Sequence, residues 1–258
     1  MTTVFVHGNP ETDAIWSDLV GELAERQPTG ESARDLVLLS PPGFGAPLPD
    51  GWGATRKEYL NWLVAEVEAL AAEGPVDIVG HDWGAGHVFG LLSVRSDLVR
   101  SWVCDCLGLI HPDYVWHDMA QLWQTPEVGE EVVNGMRTAS RDERITMMTV
   151  SGMNEHAAAD VADALDTMAD CILPLYRSGA QPAVSDLGRE LAGAHLPPGL
   201  ALDPSEDPYV GPAGRAAEMA DQLGARHAPL DGAGHWWMCE QPAAAADLFV
   251  EFWGSLDA

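Results

Sequence analysis

Positive charge is scarce in this chain. Lysine occurs once, at Lys57, and lysine and arginine together number 13 against 40 acidic residues, a net charge of −27 over 258 residues. Nucleic-acid phosphates and anionic lipid repel such a surface, so neither nucleic acid nor membrane is expected as a partner. Long apolar runs are missing too, and no stretch reaches the roughly 18 residues of a membrane span. Met1-Thr2-Thr3 leads straight into Val4-Phe5-Val6. No basic segment precedes an apolar one, so no secretory signal is visible and a cytoplasmic location is expected. Cys104, Cys106, Cys171 and Cys239 are few and scattered, and are expected as small buried apolar residues rather than a disulfide framework. Nothing completes a zinc set around the Cys-x-Cys pair. The spacings of His81 with His87 and of His111 with His117 match no common ligand pattern, so neither a metal nor a cofactor is expected. Gly-x-Ser-x-Gly, the mark of a serine esterase, does not occur.

What is present is an apolar content of 47%, enough for a packed core. Short β-rich runs alternate with amphipathic stretches. Strands are expected at 3–6, 35–39, 75–79, 102–107, 200–202 and 226–230. Helices are expected at 13–26, 84–94, 212–223 and 243–253, and from Thr55, where Thr55-Arg56-Lys57-Glu58 forms a capping box. Continuously apolar strands separated by helices imply a parallel sheet covered on both faces. The rhythm stops after Pro112. Helical pieces at 113–124, 128–138, 142–148 and 157–173 fill the gap, and strands resume near residue 200. The organisation read from this is a core of residues 1–112 and 196–258, interrupted by a helical cap of residues 113–195. About six strands are expected. Residues 35–39 would form an exposed edge that invites pairing, so a homodimer or a covering loop is expected there.

Four motifs carry chemistry, each at the expected C-terminal end of a strand. Gly80-His81-Asp82-Trp83-Gly84 follows a strand and opens a helix, the setting of a nucleophile elbow with aspartate at its centre. A carboxylate needs no base to activate it, and the helix N-terminus is expected to keep Asp82 anionic. Attack on carbon would leave an alkyl ester, whose hydrolysis needs an activated water. His235, in Asp231-Gly232-Ala233-Gly234-His235-Trp236, is the candidate base. Asp207 is a candidate to orient the imidazole; Asp203 and Glu206 compete for that role. His7-Gly8-Asn9-Pro10 follows the first strand, and a backbone N–H there, with that of Trp83, would form an oxyanion hole.

These motifs, in this order, resemble the α/β-hydrolase superfamily, and within it the branch with an aspartate nucleophile that holds epoxide hydrolases and haloalkane dehalogenases. The resemblance spans nearly the whole chain. It implies Asp82 as nucleophile, His235 as base, Asp207 as acid, Asn9 and Trp83 as oxyanion-hole residues, and a cis Pro10. Leu175-Tyr176-Arg177 resembles the cap Tyr-Arg pair that opens epoxides, and a phenol suits that task because it stays protonated at neutral pH. The stretch 121–126 resembles the region of a second cap tyrosine but offers Trp123 instead, as an indole donor or a packing residue. Trp83, and Asn9 after His-Gly, resemble haloalkane dehalogenases. The reading favours epoxide hydrolysis, with dehalogenation as the alternative and a non-catalytic small-molecule binding protein as a remoter one. The substrate is expected to be small and apolar, with Trp52, Trp116, Trp123 and Trp236 lining its pocket.

Overall fold

Six strands form one parallel sheet: β1 (Thr2–Val6), β2 (Asp35–Leu39), β3 (Val76–Gly80), β4 (Ser101–Cys104), β5 (Gly199–Pro204) and β6 (Arg226–Leu230). Their order is β2-β1-β3-β4-β5-β6. A computed structural model describes residues 1–26 and 34–256 of the protein. The helices are α1 (Ser17–Arg26), α2 (Arg56–Ala71), α3 (Trp83–Arg95), α4 (Asp118–Gln124), α5 (Val128–Thr138), α6 (Arg141–Val150), α7 (Glu155–Ser178), α8 (Ala183–Ala192), α9 (Arg215–Leu223), α10 (Trp237–Glu240) and α11 (Pro242–Leu256).

Alternation along the strands sends side chains to two cores. Phe5, Val79 and Val103 pack with Leu19 and Leu23 of α1 and with Phe249 and Trp253 of α11. Val4, Val6, Ile78 and Trp102 pack with Leu63 of α2, Val88 of α3 and Met219 of α9. The sheet is therefore covered on both faces, as its continuously apolar strands require. The capping box at Thr55 forms in full, with each partner accepting from the other's backbone N–H. Pro229 lies in β6, an edge strand, where a missing N–H is tolerated. β2 is the opposite edge and, among the described residues, pairs only with β1.

Between β4 and β5 run α4 to α8. Helix α7 carries an apolar stripe through Val161, Leu165, Met168, Ile172 and Leu175. Hydrogen bonds tie it down: Thr12 Oγ1 donates to Asp160 at 3.0 Å and the Arg56 N–H donates to Ser178 Oγ at 2.8 Å. Three departures from the sequence reading occur here. Helix α7 continues through Pro174 to Ser178 instead of ending at residue 173, so Tyr176 lies on the same rigid element as the stripe. Helix α4 begins only at Asp118. Helix α8 was not expected; it sits in the segment read as cap, but its Leu187 and Leu191 join the core beside α3 and α9. Among the described residues, no helix is long and apolar enough to cross a membrane.

Candidate active site

Strand register brings the site together. Val6 pairs with Gly80 and Gly80 with Cys104, so the residues just beyond three strand ends become neighbours. There the Asn9 N–H donates to Asp82 Oδ1 at 2.8 Å, and the Asp82 N–H donates to Asp105 Oδ1 at 3.1 Å. Asp82 itself sits at φ 52°, ψ −124°, a conformation costing on the order of 1–3 kcal/mol for a residue with a side chain. The turn is sharp enough that a Cβ on Gly84 would strike the Val6 carbonyl, and one on Gly8 would strike Asp82 Oδ1. The Asn9–Pro10 peptide is cis. Strand β4 stops at Cys104, short of the expected 107, because Asp105 turns its carboxylate toward Asp82 and Cys106 takes a positive φ of 54°.

The loops after β5 and β6 supply the other partners. His235 Nδ1 lies 2.8 Å from Asp207 Oδ2, and its Nε2 lies 3.8 Å from Asp82 Oδ2. Asp207 Oδ1 accepts from the Tyr209 N–H at 2.8 Å, which fixes the carboxylate plane. The rival carboxylates point elsewhere. Asp203 pairs with His227 at 2.8 Å, and Glu206 is exposed.

Beneath this set runs a buried array that the sequence reading did not assemble. His81 Nδ1 meets Asp105 Oδ2 at 2.5 Å and its Nε2 meets Glu11 Oε1 at 2.9 Å; the His81 and Glu11 side chains are 0% exposed. Glu11 also accepts from the Gly8 N–H at 2.7 Å and from Trp236 Nε1 at 2.8 Å. Asp105 accepts from Trp237 Nε1 at 2.6 Å. The His81 and His235 rings lie 4.6 Å apart. A pointer existed in the sequence: an acid directly after the first loop's proline and a histidine directly before Asp82. Only the strand register makes them meet.

Protonation follows from these neighbours. Burial pushes His81 down, but the charges and hydrogen bonds of Asp105 and Glu11 lift it well above its ordinary value. Burial pushes Glu11 up, yet His81 holds it at about 2. His81 is thus an imidazolium between two carboxylates. Burial lowers His235 and Asp207 raises it further, for a net rise; burial raises Asp207 and His235 brings it below its ordinary value. At Asp82 burial dominates and the Glu11 charge adds to it, so the carboxyl rises to about 6 despite His235.

A cavity of about 430 Å³ opens over Asp82 and His235. Met119, Val132, Met136, Met147 and Met148, on α4 to α6, make most of it apolar, with Asn9, His117, Ser151, Tyr176 and Tyr209 among its polar lining residues. Trp123 and Trp236 line it. The Trp123 Nε1 is buried without a partner and Trp236 Nε1 is spent on Glu11, so both contribute ring surface only. Trp116 lines a separate recess of about 20 Å³ beside Asp82 and stacks on Trp83 with ring centroids 5.5 Å apart. Trp52 is a correction. Hydrogen bonds from the Gly53 and Thr55 N–H groups to Glu58 pin its loop to α2, and its ring packs edge-on against Tyr59 at 5.2 Å instead of lining the cavity. Tyr176 packs against Trp83 at 5.2 Å and Trp123 at 4.6 Å. Burial and the Asp82 charge lift its phenol well above the ordinary value, opposed by the side chains of Asn9 and Trp83 beside it. Among the described residues, two groups bring metal-ligand atoms within 4.8 Å of one another: Glu11 with His81 and His235, and Cys106 with Asp207 and His235. Both His81 nitrogens and His235 Nδ1 are hydrogen-bonded to carboxylates.

Comparison with known proteins agrees with this architecture. A haloalkane dehalogenase of Mesorhizobium japonicum is 29% identical over 142 residues; the match takes in 51% of this chain and 42% of that relative. Among solved structures, the haloalkane dehalogenase DbeA from Bradyrhizobium elkani superposes with a TM-score of 0.67 at 21% identity, over 98% of this chain and 91% of that one. A deformylase from Pseudomonas putida S16 gives 0.72 at 15% identity, over 96% and 91%. Neighbours at such low identity speak for the fold and not for one chemistry. The sequence model of the alpha/beta hydrolase family matches residues 3–248, and the chain belongs to that family.

Proposed function

We propose that this protein hydrolyses an apolar epoxide to a vicinal diol through a covalent ester on Asp82. The observation that carries the reading is the Tyr176 phenol, held in the wall of the cavity that Asp82 floors and next to Asn9 and Trp83. An epoxide oxygen needs a proton donor when its ring opens, and a phenol that stays protonated is one. One oxygen of Asp82 attacks a ring carbon, the carbon–oxygen bond breaks, and the freed oxygen takes the Tyr176 proton. His235, oriented by Asp207, then removes a proton from water, and the hydroxide adds to the Asp82 ester carbonyl. The Asn9 N–H, which already meets Asp82 Oδ1, and the Trp83 N–H hold the oxyanion. Collapse breaks the acyl–oxygen bond. The departing diol oxygen takes the proton from His235, and the proton left on Asp82 returns to Tyr176. Atoms sum to epoxide plus water giving diol. His81, locked between Glu11 and Asp105, forms a fixed imidazolium–dicarboxylate array beneath His235 and Asp82.

Dehalogenation is the second reading. It rests on Asn9, whose carboxamide is buried and makes no hydrogen bond, and on Trp83 beside it: an amide and an indole are the weak donors a halide needs. The matching stretch of the Mesorhizobium japonicum haloalkane dehalogenase also leans that way. The test uses His235→Gln, which should stall the ester. Intact-mass measurement after mixing with styrene oxide or 1-bromobutane should show an adduct with the epoxide; an adduct with the bromide alone would favour dehalogenation, and none with either would remove both.

A further inference from the structure

His117 enters neither the triad nor the buried array, yet its ring lines the cavity over Asp82. It caps α4: its Nδ1 accepts from the Ala120 N–H at 3.3 Å. That bond requires an unprotonated Nδ1. Burial, with the His235 charge, holds His117 down at about 4, so the ring is neutral at physiological pH and its single proton sits on Nε2. No hydrogen bond joins Nε2 to another described residue. The ring stands at right angles to Tyr176, centroids 6.4 Å apart, and packs on Tyr209 at 4.9 Å, which in turn packs on His235 at 4.8 Å. His117 is therefore oriented on both sides, by the helix it caps and by two tyrosines.

The other donors on the cap side of the cavity are spoken for. Ser151 Oγ donates to the Met147 carbonyl, and Trp123 Nε1 is buried away from the open space. His117 Nε2–H and Tyr176 O–H are the remaining cap-side donors that line the cavity, and neither donates to another described residue.

We infer that His117 is a further catalytic residue, its Nε2–H donating with the Tyr176 hydroxyl to the substrate oxygen freed on ring opening. This rests on the Asp82 epoxide reading and deepens it. The proton transferred is that of Tyr176; the His117 proton stays on Nε2 and contributes a hydrogen bond to the developing negative charge. A second preorganised donor matters here because burial makes the phenol a poor acid, so hydrogen bonding must hold much of the charge at the transition state.

His117→Asn tests this, because asparagine caps a helix well while presenting no Nε2–H to the cavity. The rate of adduct formation with styrene oxide is compared in His235→Gln and in His235→Gln/His117→Asn by quench and intact mass. The double variant should be slower by about 100-fold, the lower end for loss of one such donor. The loss should be equal at pH 6 and pH 8, since a neutral imidazole donates alike at both. Thermal stability of His117→Asn should match the parent, whereas His117→Ala should lose stability with the cap. Equal adduct rates with and without His117→Asn, or a rate loss matched by a comparable loss of stability, would overturn the inference. Absence of any epoxide adduct in His235→Gln would overturn the Asp82 epoxide reading itself, and this inference with it. First-turnover rates in the chain with His235 intact give the same comparison should His235→Gln fail to fold.

Discussion

Replacing Glu11 by Gln removes one negative charge from the centre of the molecule while keeping its shape. The carboxylate accepts three hydrogen bonds, from the Gly8 N–H, His81 Nε2 and Trp236 Nε1. An amide can serve two of these through its oxygen but must turn its NH₂ toward the third donor. One buried donor is then unpaired, at about 1–3 kcal/mol. His81 also loses one of its two counter-charges, and breaking a buried pair from one side costs about 3–5 kcal/mol in total. For a chain of this size that lowers Tm by roughly 10 °C. The pH dependence has a definite sign. Glu11 is held at about 2 in the fold against an ordinary 4.5, so its stabilisation is present above pH 4.5 and is lost as pH falls toward 2. His81 is raised above 6.5, so its share is full below pH 6.5 and is lost as pH rises through its folded value. The gap in Tm between parent and Glu11→Gln should be widest between pH 4.5 and 6.5. A second effect is kinetic. The Glu11 charge helps lift Asp82 to about 6, so Glu11→Gln should shift the acid limb of adduct formation to lower pH. Calorimetry across pH and single-turnover rates measure both. A Tm within about 2 °C of the parent, less than 1 kcal/mol, or an acid limb that does not move, would show that the array does not hold the charges assigned to it.

In the parent, adduct formation should fall as pH drops below about 6, because protonated Asp82 cannot attack; a flat rate from pH 5 to 8 would contradict this. Tyr176→Phe should slow epoxide opening by about 10²-fold or more and leave attack on a bromoalkane nearly unchanged, as product analysis with both substrates would record. Gly84→Ala should lower Tm sharply or prevent folding, since the added methyl meets the backbone carbonyl of Val6 and not a movable side chain; forcing such overpacking costs typically 1–3 kcal/mol or more.

Much of the fold was legible because local rules and tertiary structure agree. The runs expected as strands at residues 3–6 and 75–79 became β1 and β3 to within a residue, and the Thr55 capping box closed as its spacing implied. The chemistry-bearing motifs stood at strand ends because a parallel sheet puts its loops there. Other features depend on burial, which no local pattern reports. Pro174 reads as a helix stop, yet packing on both sides of it carries α7 through to Tyr176. Helix α8 repeats apolar residues at 184, 187 and 191, a signal present but masked by Pro182 and the glycine at 188. The rise of Asp82 to about 6 was not legible because it comes from desolvation that only the fold imposes, against which the dipole of α3 is a weak effect, worth typically 0.3–1 kcal/mol. Trp52 and Trp123 illustrate the same point: an indole in a sequence does not disclose whether its N–H faces a cavity, a partner or neither.

Oxygen-18 water in a single turnover examines the covalent step at its root. With enzyme in excess over epoxide, the oxygen newly bonded to carbon should come from Asp82. The first diol should then be unlabelled, and the label should appear in the peptide that contains Asp82. A labelled diol with an unlabelled Asp82 peptide would mean that water attacks the substrate directly, and that Asp82 never forms the ester.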